Sequence, residues 1–86
     1  MADFDLHIVT QVRTVFEGRV HSIVVPAAEG YLGVMAHHAP LLATLGRGTL
    51  NVKSAGGEKD YQVTGGFLEV NNNVATLLVD ELGEEG

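Results

Sequence analysis

The residues best suited to chemistry in this 86-residue sequence are four histidines, two serines and eleven carboxylates. His37 and His38 are adjacent, and in an extended segment adjacent side chains point to opposite faces, which does not close on one metal ion. His7 and His21 stand on strand-like segments with no second histidine two or four residues away. All four read as surface or interface histidines, and no metal site is expected. A hydrolytic triad needs a nucleophile on a sharp turn with a base and an orienting acid in reach. Ser22 falls inside a strand pattern and Ser54 in a turn region, neither with the context of a nucleophile elbow. Gly30-x-x-Gly33 and Gly46-x-Gly48 are followed by no Gly-Lys-Ser/Thr and open no helix, so they are not phosphate loops. Glu58 and Asp60 read as solvated strand ends. No catalytic residue and no cofactor are expected.

The elements that would have to position such groups are short. Leu6–Val9, Arg19–Pro26, Leu50–Lys53, Lys59–Thr64, Phe67–Asn71 and Val74–Val79 read as strands, with Thr14–Phe16 and Tyr31–Met35 as shorter ones. Ala55-Gly56-Gly57 and Asn71-Asn72-Asn73 supply the positive φ angles that tight hairpin turns demand. Pro40–Leu45 fits either a helical turn or a short strand. No segment has a sustained helical period with caps at both ends. The expectation is a single all-β domain over residues 1–80, a sandwich or barrel, followed by an acidic tail over 81–86 that reads as disordered. Formal charge is −6, which disfavours nucleic acid and anionic lipid as partners, and there is no cysteine for a disulfide or thiolate site. No apolar run approaches the roughly 18 residues of a membrane span, and the first residues do not form a secretory signal.

One segment is left over by this accounting. Glu29–Leu42 reads as long, irregular and rich in special residues, with glycines that allow tight turns. Pro40 fixes its own φ and pushes Ala39 towards extended geometry. A loop stiffened in this way presents exposed side chains at low ordering cost; it would equally serve to bridge two sheets.

The same segment carries a resemblance. Gly30, Gly33, Val34, His38, Ala39, Pro40, Leu41 and Leu42 match a stretch found in epsilon subunits of F-type ATP synthases. A second block, Gly65-Gly66-Phe67-Leu68-Glu69-Val70 followed by Asn73, Val74, Thr76 and Leu78, is similar to the later hairpin of that family. Phe16-x-Gly18 and Val24-x-Pro26 fall where the family places them, so the resemblance covers essentially the whole chain. It departs from the pattern where Ala36 and Arg47 stand in place of prolines, and where Tyr31 stands for an acid or Phe.

The resemblance implies a flattened β-sandwich of about ten strands and a non-catalytic rotor subunit of the central stalk. Such a subunit couples proton-driven rotation to ATP synthesis by binding the gamma subunit and contacting the c-subunit ring. It would be peripheral to the membrane through its complex, on the cytoplasmic face in bacteria or the stromal side of the thylakoid in plastids. By the same resemblance, Tyr31 and His38 face the ring, while Thr10, His38, Leu42 and Ala43 face gamma. A stable contact of this sort buries about 800 Å² per partner. Relatives continue into a pair of C-terminal helices that can brake hydrolysis. This sequence ends at Gly86 and reads as a complete short member, with a shortened form of a longer chain as the other reading. Its seven residues after Val79 span at most about 25 Å, so no brake of that kind is expected. The competing class is an unrelated β-sandwich module for carbohydrate or peptide. It predicts a groove lined with Trp and Tyr, whereas the sequence has no Trp and only Tyr31 and Tyr61.

Overall fold

Phe4, Leu6 and Ile8 are buried while Asp5, His7 and Val9 are only partly covered, the two-residue period of a strand with one face on a core. The same alternation runs through Gly66–Asn71, where Leu68 and Val70 point inward and Phe67, Glu69 and Asn71 outward. The computed structural model describes residues 2–80 and 82–85. Ten strands are formed: β1 (Phe4–Val9), β2 (Thr14–Val20), β3 (Ser22–Ala27), β4 (Gly30–Met35), β5 (Leu41–Leu45), β6 (Gly48–Ser54), β7 (Gly57–Val63), β8 (Gly66–Asn71), β9 (Val74–Val79) and β10 (Leu82–Glu85). This is the all-β sandwich that the sequence and the resemblance lead one to expect.

The strands make one hydrogen-bonded sheet in the order β10-β7-β6-β3-β5-β8-β9-β1-β2, with β4 pairing β3 off that path. All pairs are antiparallel except β1 with β9. The sheet curls on itself, so that Phe16 of β2 lines the same shallow hollow as Val52 of β6 and Tyr61 of β7. One layer, β5-β8-β9-β1-β2, brings Leu6, Ile8, Leu68, Leu77 and Val79 to the core. The other brings Ile23, Val25, Val34, Leu50, Val52, Tyr61 and Val63. Each fully buried aliphatic side chain contributes about 1.5–3 kcal/mol. Among the described residues no polar or charged residue is buried, Tyr61 being the one core side chain with a polar tip.

The hairpin turns follow from their residues. Asn72 and Asn73 take φ of 52° and 62° between the paired ends Asn71 and Val74, a two-residue turn whose hand matches the twist of the strands. The β6–β7 hairpin closes at Ser54 and Gly57, with Gly57 at φ 128°. Gly66 has the strictest requirement. It pairs with Leu45 on one side and Val79 on the other, has φ 138°, and a Cβ there would lie 2.0 Å from the Leu78 carbonyl oxygen.

Three expectations are corrected and one that was open is settled. Arg19–Pro26 is two strands, because β2 ends its pairing with β1 at Val20 while β3 begins a new pairing with β4 and β6 at Ser22. His21 makes the corner, its amide donating to the Lys53 carbonyl at 2.7 Å. Pro40–Leu45 resolves as a strand over Leu41–Leu45, since β8 offers it a five-residue ladder. The Glu29–Leu42 segment is not irregular throughout: Gly30–Met35 is strand β4 and Leu41 and Leu42 begin β5, leaving Glu29 and residues 36–40 outside strands. The acidic end is not a free tail over Leu82–Glu85, which pairs antiparallel with β7 from Leu82↔Val63 to Glu85↔Asp60. An unpaired strand edge accepts an extended segment through backbone bonds, whatever its side chains. Positions 81 and 86 of that expectation lie outside the described residues.

Candidate functional site

The groups with chemical potential are dispersed and mostly occupied. His7 Nδ1 lies 3.4 Å from Glu17 Oε2, and His21 Nδ1 lies 2.6 Å from Asp3 Oδ1. His37 and His38 are in a turn rather than an extended segment. His37 has φ 64° and is exposed, whereas half-buried His38 donates from Nδ1 to the Ala39 carbonyl at 2.7 Å. Glu58 and Asp60 both accept from Asn51 Nδ2, each at 2.7 Å. Among the described residues no group of three or more His, Asp or Glu could hold a metal ion. One hollow, of about 500 Å³, is lined by Ala2, His21, Ser22, Met35, Ala36 and Lys53, with no aromatic wall of the kind a sugar or peptide groove uses.

The sandwich has two ends. Tyr31 lies opposite Pro26 near the start of β4, and its hydroxyl accepts from the Thr49 amide at 3.2 Å. Gly48 makes this close approach possible, because a Cβ there would meet the Tyr31 hydroxyl at 2.6 Å and Pro26 Cβ at 2.8 Å. His38 lies beyond the other end of the same strand, where its amide donates to the Met35 carbonyl at 3.2 Å. Four residues of strand, at about 3.3 Å each, put Tyr31 roughly 13 Å from Met35. The two residues expected to share one surface therefore sit at opposite ends of the sandwich. Thr10 is on the Tyr31 side, since Val9 pairs with Leu78 at the far end of β1. Its hydroxyl is engaged locally, accepting from the Val12 and Arg13 amides at 3.3 Å. Leu42 and Ala43 are adjacent on β5 and so point to opposite faces. Leu42 is 74% exposed, while Ala43 packs on the core.

The outer face around Leu42 is the more informative feature. Directly paired residues of neighbouring strands point to the same side. Thr44 pairs with Phe67, Phe67 with Leu78, and Leu78 with Val9, giving a row across β5, β8, β9 and β1. The next row runs Leu42, Glu69, Thr76, His7, Glu17. Phe67 is 53% and Leu78 42% exposed, so with Leu42 they form an apolar patch on adjacent strands, with Glu69 paired directly to Leu42 at its edge. A lone exposed Leu needs no explanation, but large apolar side chains grouped on one sheet face with a polar rim mark an interaction surface. Sequence reasoning missed Phe67 and Leu78 as site residues. The strict alternation of β8 was the available signal for Phe67. In β9, Leu77 and Leu78 are adjacent and equally apolar, so the sequence does not say which one faces out.

The fold and surface define a small β-sandwich domain with an apolar patch on its outer face. The family described as "ATP synthase, Delta/Epsilon chain, beta-sandwich domain" matches residues 3–84, and the chain belongs to that family. It is 42% identical over 81 residues to the sodium ion specific ATP synthase epsilon chain of Propionigenium modestum, covering 94% of this chain and 59% of the relative. It is 44% identical over 87 residues to the ATP synthase epsilon chain of Symbiobacterium thermophilum, covering 98% and 63%. The chain thus spans about 60% of the length of these curated relatives. Among solved structures it superposes on a chain of the Euglena gracilis mitochondrial ATP synthase (OSCP/F1/c-ring) with TM-score 0.90 and 29% identity, covering 98% of this chain and 54% of that one. A chain of the Tetrahymena thermophila central stalk and c-ring shares the fold, with TM-score 0.78, 19% identity, and coverage of 91% and 63%.

Proposed function

We propose that this chain is the rotor-stalk part of an F-type ATP synthase epsilon subunit, a non-catalytic domain that grips the gamma subunit and meets the c-subunit ring. The observation that carries this reading is the apolar patch of Leu42, Phe67 and Leu78 on the outer face of β5, β8 and β9. A partner helix laid across that face would cover what a free domain leaves exposed. Glu69 at its edge favours a partner that brings a cation to the rim. The Tyr31 end is assigned to the ring. Its aromatic side chain is 63% exposed yet fixed at its tip by the Thr49 amide, so it loses little freedom on contact. The His38 loop, adjoining Leu42 in sequence, is assigned to the gamma side. A stalk element must transmit torque without yielding, and a densely packed, cross-bonded sandwich is suited to that.

The domain would be peripheral to the membrane, held there only through its complex, on the cytoplasmic face in a bacterium. Its family and its similarity to a chain of the Euglena OSCP/F1/c-ring assembly support the reading. Mixing the purified chain with an ATP synthase gamma subunit should give one co-eluting species of one-to-one stoichiometry in size-exclusion chromatography. Separate elution of the two at micromolar concentration would overturn the assignment.

A further inference from the structure

The β4–β5 loop, residues 36–40, has an unfavourable local conformation and yet a defined one. His37 is a non-glycine residue at φ 64°, in the sparsely populated left-handed region that a side chain enters only when its surroundings hold it there. What holds it comes from far along the chain. Asn73 Oδ1 accepts the His37 amide at 2.7 Å, across 36 residues of sequence. The same side chain turns its other end the opposite way, Nδ2 donating to the Asp3 carbonyl at 2.9 Å, across 70 residues.

One amide thus ties together three separate segments: the chain entering β1, the β8–β9 turn and the β4–β5 loop. The tie to Asp3 is reinforced at its far end. The Asp3 carbonyl also accepts from Arg19 Nη2 at 3.1 Å, and the Asp3 carboxylate pairs with His21. Asn73 itself has φ 62°, a conformation its short polar side chain tolerates. That conformation is what lets the turn aim an amide carbonyl at one neighbour and an amide N–H at the other. No other common side chain offers an acceptor and a donor at this length, since Asp lacks the donor and Gln is longer by one methylene.

We propose that Asn73 is a positioning residue for the partner-contacting loop: it clasps His37 to the N-terminal segment and so fixes where His38 and Pro40 are presented. Its task in the turn and its task in the clasp are separable, because the turn needs only the positive φ while the clasp needs the amide. The functional half of this proposal rests on the gamma-side assignment of the His38 loop made above.

Two substitutions in the full chain separate the parts. Asn73→Gly keeps the backbone angle and removes the clasp. Asn73→Asp keeps the acceptor for His37 and removes the donor to Asp3. Amide hydrogen exchange of His37, read by NMR, should be about tenfold faster in Asn73→Gly, the size expected for loss of one hydrogen bond. In Asn73→Asp it should stay within about twofold of wild type, rescue by the variant that retains the acceptor. Affinity for a purified ATP synthase gamma subunit should fall about fivefold in Asn73→Gly, a modest loss because only the ordering of one loop is removed. Unchanged His37 exchange in Asn73→Gly would overturn the clasp. Faster exchange with unchanged gamma affinity would overturn the positioning role. If wild-type chain itself does not bind gamma, the gamma-side assignment fails and with it the positioning role, while the exchange rates still decide the clasp.

Discussion

The two ends of the sandwich are held by opposite means. At the Tyr31 end order comes from missing side chains: Gly48 lets the Tyr31 hydroxyl and Pro26 close in, and Gly66 lets β5, β8 and β9 meet where any Cβ would collide with the Leu78 carbonyl. At the His38 end order comes from a side chain that is present, Asn73, whose amide spans two distant segments. Steric fit of the first kind is nearly all-or-none, because packed backbone cannot move aside cheaply. A hydrogen-bonded clasp of the second kind is graded and local. The end assigned to the ring is therefore the stiffer, and the end carrying the His38 loop is the one whose presentation can be adjusted without unfolding the domain.

The largest effect should come from adding one methyl group at the stiff end. Gly66→Ala combines strain at φ 138° with a backbone collision. It should lower stability by at least about 3 kcal/mol, a large part of what a domain of this size has. Urea denaturation measures it, and a midpoint equal to wild type would show that this junction is not tight. Gly48→Ala should cost about 1–3 kcal/mol. Because its closest clash is with the Tyr31 hydroxyl, Tyr31→Phe in the same chain should recover about 0.5 kcal/mol or more in a double-mutant cycle. Recovery stays partial, since the contact with Pro26 remains. Strict additivity of the two changes would mean that Tyr31 is not held against Gly48. Asn73→Gly should change global stability least of the three, by about 1 kcal/mol, with its main effect confined to the 36–40 loop. A global loss as large as that of Gly66→Ala would erase the distinction between the two ends.

Much of this was legible in the residues, and the rest was not for identifiable reasons. The hairpins at Gly57 and Asn72–Asn73 were readable because φ > 0 restricts residue choice at the turn itself. Strands β1 and β8 were readable from alternation, and β9 from its apolar, β-rich run. The break at His21 was not, since both halves of Arg19–Pro26 are good strand sequence and only the change of partners divides them. Strand β10 was hidden because acidic residues carry no packing signal, and the edge of β7 supplies the bonds. The resemblance gave the family through the His38-Ala39-Pro40-Leu41-Leu42 run and the Gly65–Val70 block. It also put Tyr31 and His38 on one surface, although the strand Tyr31–Met35 that sets them at opposite ends was itself legible. Asn73 was read as a turn residue alone; a contact with Asp3 across 70 residues has no local signature.

The central claim is that the outer face bearing Leu42, Phe67 and Leu78 is the surface that grips gamma. Because Phe67 is already half exposed, Phe67→Lys should fold normally while placing a charge in the middle of the contact. The direct measurement is calorimetric affinity for a purified gamma subunit, with Ala55→Lys at the exposed tip of the β6–β7 hairpin as control. Phe67→Lys should weaken binding by tenfold or more, about 1.4 kcal/mol or above, and Ala55→Lys should leave it within about twofold. Equal affinity for Phe67→Lys and wild type would contradict the claim and move the gamma contact to another face of the sandwich.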